Sequence, residues 1–264
     1  MEYGFDFAYV FKYVPKLLST LDLTLLIVAG AIATGLIIGL LVALPRLYHV
    51  PVLKQLSMVY VSFFRGTPVL IQLFLFYYGL PEILKLVYID VTRVPVLYFV
   101  IFTLGLNAGA FISETIRAAV TAVNRGQVEA AYAVGMTGYQ AFTRIILPQA
   151  LAIAVPVFSN LVIAMLKETS LAFTLGVMEM TGKAQSLGAL SQHFLETYIS
   201  LAIIYLIISL LLERVLLLAE RRLQRHMRRE QEKRSWFGLR RVPPLNRLTR
   251  ELNLEKKEVP SYEA

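Results

Sequence analysis

The chain has 264 residues, of which 57% are hydrophobic and only 17% charged, with no cysteine, three histidines and a net charge of +8. Charged residues approach a quarter of an ordinary soluble domain, so that class is excluded. The lack of cysteine removes disulfides, thiolate metal sites and Cys nucleophiles, and three histidines leave little for any other metal centre.

What remains is an all-α polytopic membrane protein, a helical bundle with about five transmembrane spans. The first apolar block, residues 23–44, runs without a charge for about 22 residues, enough to cross a hydrocarbon core of roughly 30 Å. No small-residue cleavage pattern ends it, so it reads as a retained span and not a secretory signal. Four more follow at residues 56–80 (containing Arg65), 94–123 (Glu114 and Arg117 in its inner half), 147–166 and 198–218. Two of these segments carry glycines four apart, Gly35 with Gly39 and Gly105 with Gly109. Such pairs let helix backbones approach closely, either inside one bundle or between subunits.

Five spans put the two termini on opposite sides, and cytoplasmic segments collect Lys and Arg. The N-terminus (Lys12 and Lys16 against Glu2 and Asp6), the segment with Glu82, Lys85, Asp90 and Arg93, and the segment with Glu179, Lys183 and Glu196 are near neutral. The opposite set holds Arg46, Lys54, Arg125 and Arg144, and a tail in which basic residues outnumber acidic ones. The N-terminus is therefore expected outside and the C-terminus in the cytoplasm. Residues 1–224 form the expected transmembrane domain, and residues 225–264 a basic cytoplasmic tail, mobile beyond Trp236. Arg221, Arg222, Arg225, Arg228 and Arg229 are interleaved with Glu220, Glu230 and Glu232 just after a span. That placement favours contact with anionic lipid over nucleic acid.

The inner segment "EAAYAVGMTGYQAFTRIILPQA", residues 129–150, breaks the apolar pattern. Residues 127–134 are rich in helix formers, and Gly135 supplies a residue suited to the left-handed conformation that ends a helix. Thr137 with Gln140 three residues later is a capping-box pattern that restarts one, and Pro148 sits where a span can begin. The shape is a helix, a turn and a second helix at the inner membrane surface. Taken alone, it suits an ordinary interfacial connection equally well.

The spacing Glu129-Ala130-Ala131, Gly135, then Ile145-x-Leu147-Pro148 resembles the cytoplasmic EAA loop of ABC importer permeases. "FFRGTPVLIQLFLFYYGLP" (63–81), "GQVEAAYAVGMTGYQAF" (126–142), "LPQA" (147–150) and "KETSLA" (167–172) resemble the branch of that family serving polar amino acids. The resemblance covers roughly residues 15–224. It implies two permease subunits, identical or paralogous, above an ATPase dimer, with an extracytoplasmic amino-acid-binding protein delivering substrate. No cofactor or metal is expected on this chain, because ATP is bound by the partner. It also implies that Glu129, Ala130, Ala131, Gly135, Leu147 and Pro148 form the ATPase-coupling element. The substrate is left open among L-cystine, other polar amino acids, basic amino acids and glutamine.

Ionisable or polar residues inside spans are costly enough to be functional candidates. Asn107, Glu114 and Arg117 fall on one helical face, where the charged pair either holds the two ends of an amino acid, pairs at i, i+3, or faces the inner interface. Lys167, Glu168, Thr169 and Ser170 are pathway candidates from the resemblance, and Gln72 is a weaker one. Arg65, before Gly66-Thr67-Pro68, is expected to anchor the inner end of the second span, with the helix broken there.

"GVMEMTGKA" (176–184) looks like a phosphate loop, yet five residues separate Gly176 from Gly182 and Ala184 replaces the required Ser or Thr. An autonomous secondary transporter or channel is disfavoured by the odd span count and the lack of an inverted repeat. No HExxH, GxSxG or catalytic carboxylate pair supports an intramembrane enzyme.

Overall fold

The computed structural model describes residues 5–236, with side chains to Arg222. The compact unit ends at Arg221. The expected mobile tail beyond Trp236 lies outside the described residues, as does Glu2.

The described residues are mostly helical, without strands. In order they are α1 (Phe7–Leu18), α2 (Leu21–Leu47), α3 (Pro51–Gly66), α4 (Val69–Phe74), α5 (Leu80–Lys85), α6 (Val96–Thr121), α7 (Arg125–Ala133), α8 (Gly138–Ala141), α9 (Leu147–Glu168), α10 (Met180–Ser191) and α11 (Phe194–Trp236). Single π turns at Leu75–Gly79 and Phe142–Ile146 join α4 to α5 and α8 to α9, and a 3-10 segment, Thr169–Leu175, extends α9.

Four segments are long and apolar enough to cross a membrane unbroken: Leu21–Leu47, Val96–Thr121, Gly138–Leu175 and Phe194–Arg222. Their outward faces carry exposed Ile37, Leu40, Leu41, Leu206, Leu210 and Leu211, as lipid contact requires. The second expected span is broken where Gly66-Thr67-Pro68 was expected to break it. It is a broken pair, Pro51–Gly66 and Val69–Lys85, meeting at 114°. Pro68 sits at the break: it offers no N–H to the Phe64 carbonyl, and Thr67 before it takes extended geometry (φ −116°, ψ 146°).

The bundle is built around α2 and α6, whose glycines mesh. A Cβ on Gly35 would stand 2.8 Å from Ala108 Cβ, and one on Gly105 would stand 2.7 Å from Thr34 Cβ. Of the two readings open for the glycine pairs, internal packing is the one the fold uses. Buried Ile27, Ala31, Val100 and Leu104 continue this seam toward Leu73, Ala172 and Leu175.

Two helices appear where connecting segments were expected. α1 is amphipathic: Val10, Tyr13 and Leu17 are buried, while Phe7, Phe11 and Leu18 are exposed beside Lys12 and Lys16. Its Leu17 packs with Met180 and Ala184 of α10 and with Leu201 and Ile204 of α11. The phosphate-loop look-alike is a turn and a helix cap. Gly176 takes φ +87° after the 3-10 segment, and the fully buried Glu179 caps α10 through Thr181 N (2.9 Å) and Gly182 N (3.0 Å).

Candidate functional site: the inner loop, the broken helix and a charged cleft

The inner loop folds as its local signals dictate. α7 ends at Gly135, whose φ of +82° is left-handed, and Met136 N and Gly135 N close the end on Ala131 O and Tyr132 O. Thr137 Oγ1 then accepts from Gln140 N, while Gln140 Oε1 accepts from Thr137 N, a complete capping box. The restarted helix is not a separate element as expected. It passes through the π turn at Phe142–Ile146 into α9, with Pro148 in the first turn of that helix.

Glu129, Ala130, Tyr132, Val134 and Tyr139 are exposed on this loop, whereas Ala131 is only 5% exposed and packs inward. Gly135, Leu147 and Pro148 are also exposed. The two tyrosines and Val134 lie within the family-like stretch 126–142 yet went without an assigned role. So did Gln149, whose Nε2 donates to Gln127 Oε1 at 2.7 Å and to Ile145 O at 2.8 Å, tying α7 to the base of α9.

Gln72 and Asn107 are 0% and 1% exposed and turn their amide nitrogens to the broken helix, while Asn107 Oδ1 has no hydrogen-bond partner among the described residues. Gln72 Nε2 donates to Phe64 O (2.9 Å), Thr67 O (3.0 Å) and Thr67 Oγ1 (2.9 Å). Asn107 Nδ2 donates to Phe64 O (3.2 Å) and Gln72 Oε1 (3.0 Å). Phe64 O is the acceptor that residue 68 would serve in an unbroken helix, so these amides replace the hydrogen bond that proline removed.

Asn107 is thus separated in role from Glu114 and Arg117, with which it shares a helix. Glu114 pairs with Arg117 through its Oε1, and Arg46 Nη1 of α2 reaches its Oε2 at 2.8 Å. Arg46 had no sequence signal beyond its basic loop position, because the pairing joins residues on different helices. Beside this cluster a cleft of about 260 Å³ opens between α3, α6 and α9, lined by Arg65, Phe111, Glu114, Thr115, Ile153 and Val157. Arg65 stands at the last turn of α3, which begins at Pro51, about 21 Å earlier along the helix axis.

At the far end of α9 the chain tightens into the 3-10 segment. Lys167 is exposed, Thr169 is buried with its hydroxyl donating to Leu166 O (2.8 Å), and Ser170 Oγ donates to Lys167 O (2.7 Å). Glu168 Oε2 is buried with no hydrogen-bond partner among the described residues. No group of three or more potential metal ligands occurs among them either.

A family profile described as "binding-protein-dependent transport system inner membrane component" matches residues 35–225. The L-cystine transport system permease TcyL of Bacillus subtilis is 47% identical over 188 residues, 71% of this chain and 79% of that protein. The nopaline transport system permease NocM of Agrobacterium fabrum is 38% identical over 190 residues, 71% and 79% respectively. Among solved structures, an amino acid ABC transporter crystallised with histidines superposes with a TM-score of 0.74 at 33% identity, over 83% of this chain and 99% of that one. The MetNI methionine ABC transporter in an inward-facing form gives a TM-score of 0.57 at 20% identity, over 77% and 92%, a likeness of fold.

Proposed function

The chain belongs to the amino-acid ABC transporter permeases among the binding-protein-dependent transport system inner membrane components, and from that premise we propose that it forms the translocation pathway for a polar amino acid, L-cystine first among the candidates. A separate ATPase dimer drives it, a second permease subunit completes the pathway, and an extracytoplasmic binding protein delivers substrate. The N-terminus is outside and the C-terminus in the cytoplasm.

The observation that carries this reading is the continuity of one span with the inner loop. The segment Gly138–Leu175 runs from the restarted helix, through α9, to the Lys167–Ser170 turn. The Gln127–Gln149 bond fixes α7 to its base. A load applied to the exposed face of α7, at Glu129, Ala130 and Tyr132, therefore shifts α9 as a rod and moves the far end where Glu168 keeps a buried, unpartnered oxygen. In this mechanism Gly135 is the turn that lets α7 stand against the ATPase, while Leu147 and Pro148 start the rod. Lys167, Glu168, Thr169 and Ser170 line the route, and Glu114 with Arg117 and Arg46 organise its inner end.

The test is reconstitution with ATPase and binding protein in liposomes, reading ATP-dependent uptake of L-cystine, glutamine and basic amino acids. Gly135→Pro is expected to leave the protein inserted and ATP hydrolysis running while uptake collapses. Undiminished uptake in that variant sinks the coupling assignment. Uptake by the chain alone on an ion gradient would replace the reading with a secondary transporter.

A further inference from the structure

We propose that the cleft between α3, α6 and α9 is a carboxylate-binding station for the transported amino acid, and that Arg65 is the side chain that takes its α-carboxylate. The proposal rests on the permease reading above and goes beyond it by assigning a residue and a ligand group.

Arg65 closes a helix within the broken span, yet it is exposed. An ionised side chain in such a segment is tolerated when it faces a watered cavity or a partner, and not lipid. Among the described residues its guanidinium meets no carboxylate; its contact is the face of Phe111, 5.5 Å from the ring centroid. That cation–π contact holds the group over the cleft and leaves its N–H donors unspent.

The neighbouring Glu114 is shared by Arg46 and Arg117, one at each oxygen, and makes no ion pair with Arg65. The region therefore sets three guanidiniums against one carboxylate. A local excess of positive charge attracts a carboxylate. A planar guanidinium is also the side chain best matched to a carboxylate through two parallel hydrogen bonds.

Thr115, on the same wall, donates its hydroxyl proton to Phe111 O at 2.9 Å, so toward a ligand its Oγ1 can only accept. That oxygen and the Glu114 carboxylate on the same wall are the acceptors the cleft offers an ammonium group. At about 260 Å³ the cleft falls below the roughly 300–1,000 Å³ of sites for drug-sized molecules, which suits a small metabolite.

The experiment uses the permease assembled with its ATPase and binding protein. In liposomes, Arg65→Gln is expected to cut ATP-dependent uptake by roughly tenfold to a hundredfold, the loss of a charge-assisted hydrogen-bonded pair. Arg65→Lys keeps the charge and is expected to stay within about threefold to tenfold of wild type. A second measurement is saturation-transfer NMR on the solubilised permease–ATPase complex without binding protein. Its probes are L-cystine, L-glutamine, their α-carboxamides and glycerol 1-phosphate.

Wild type is expected to give signal with a free acid and little with its carboxamide, and Arg65→Gln to lose the acid signal. Uptake unchanged in Arg65→Gln overturns the proposal. Equal signals from acid and carboxamide in wild type overturn it too, as does binding of glycerol 1-phosphate with no amino acid. If Arg65→Gln fails to co-elute with the ATPase, the wild-type acid-to-carboxamide comparison and Arg65→Lys decide. Absence of any ATP-dependent amino-acid uptake by wild type is a different failure, that of the permease reading, and no amino-acid signal in either assay removes both.

Discussion

The α2–α6 seam and the α3–α4 break solve opposite problems of packing helices in a membrane. Along the seam cohesion comes from close approach of two continuous helices, with Gly35 against Ala108 and Gly105 against Thr34. At the break the backbone loses a donor at Pro68, and two amides recruited from α4 and α6 restore what is missing. Lipid offers no hydrogen bonds, so a continuous helix can rely on shape alone, while an interrupted one must be repaired with polar side chains.

Substitutions separate the two strategies. The largest effect is expected from Gly105→Leu, because even a Cβ there meets Thr34 Cβ at 2.7 Å. The seam must open, at a cost of about 3 kcal/mol or more, read as loss of monodisperse protein in detergent; a stable, monodisperse variant would show the seam to be slack. Gln72→Leu comes next. It leaves Phe64 O served only by Asn107 and Thr67 O unserved, at a cost of about 2 kcal/mol measurable by thermal unfolding. Equal stability would mean that water or lipid headgroups reach the break.

Pro68→Ala is expected to change stability by less than about 1 kcal/mol and to leave the bend in place, because Gln72 and Asn107 already occupy the acceptor that the new N–H would seek. A spin-label distance across Pro51–Gly66 and Val69–Lys85 that lengthened in this variant would show proline to be the sole cause of the bend.

The smallest effect is a pH dependence away from both regions. Burial pushes the Glu179 carboxyl above its ordinary value, against the pull of its hydrogen bonds from Thr181, Gly182 and Tyr205. Folding then binds a proton more tightly than unfolding does. The resulting stability is present below the ordinary Glu range and is lost as pH rises through the raised value. Unfolding temperature against pH should slope downward over that window in wild type and flatten in Glu179→Gln; matching slopes would place the titration elsewhere.

The inner loop was the most legible part of the candidate site. Gly135, Thr137, Gln140 and Pro148 each act within a few residues of themselves, so their types and spacing dictated the shape. The expected separate second helix merged with α9 because nothing between Ala141 and Leu147 ends a helix; the irregularity there is a single π turn. α1 and α10 escaped notice because their apolar residues cover one face or mix with small polar ones, and neither forms a long apolar run. That Ala131 packs inward while Glu129 and Ala130 are exposed was not legible, because a motif names residues without fixing helix rotation.

By itself the sequence determined the solvent this protein lives in, its helical class, the approximate course of its spans and the shape of its inner loop. Those features follow from hydropathy and hydrogen bonds closed within one segment. Tertiary structure alone decided that Gln72 meets Asn107 across 35 residues, that Arg46 shares Glu114 with Arg117, and that Arg65 looks into the cleft beside them without an ion-pair partner among the described residues. Side-chain partners in a bundle are set by how helices cross, and that geometry depends on every contact along the seam at once.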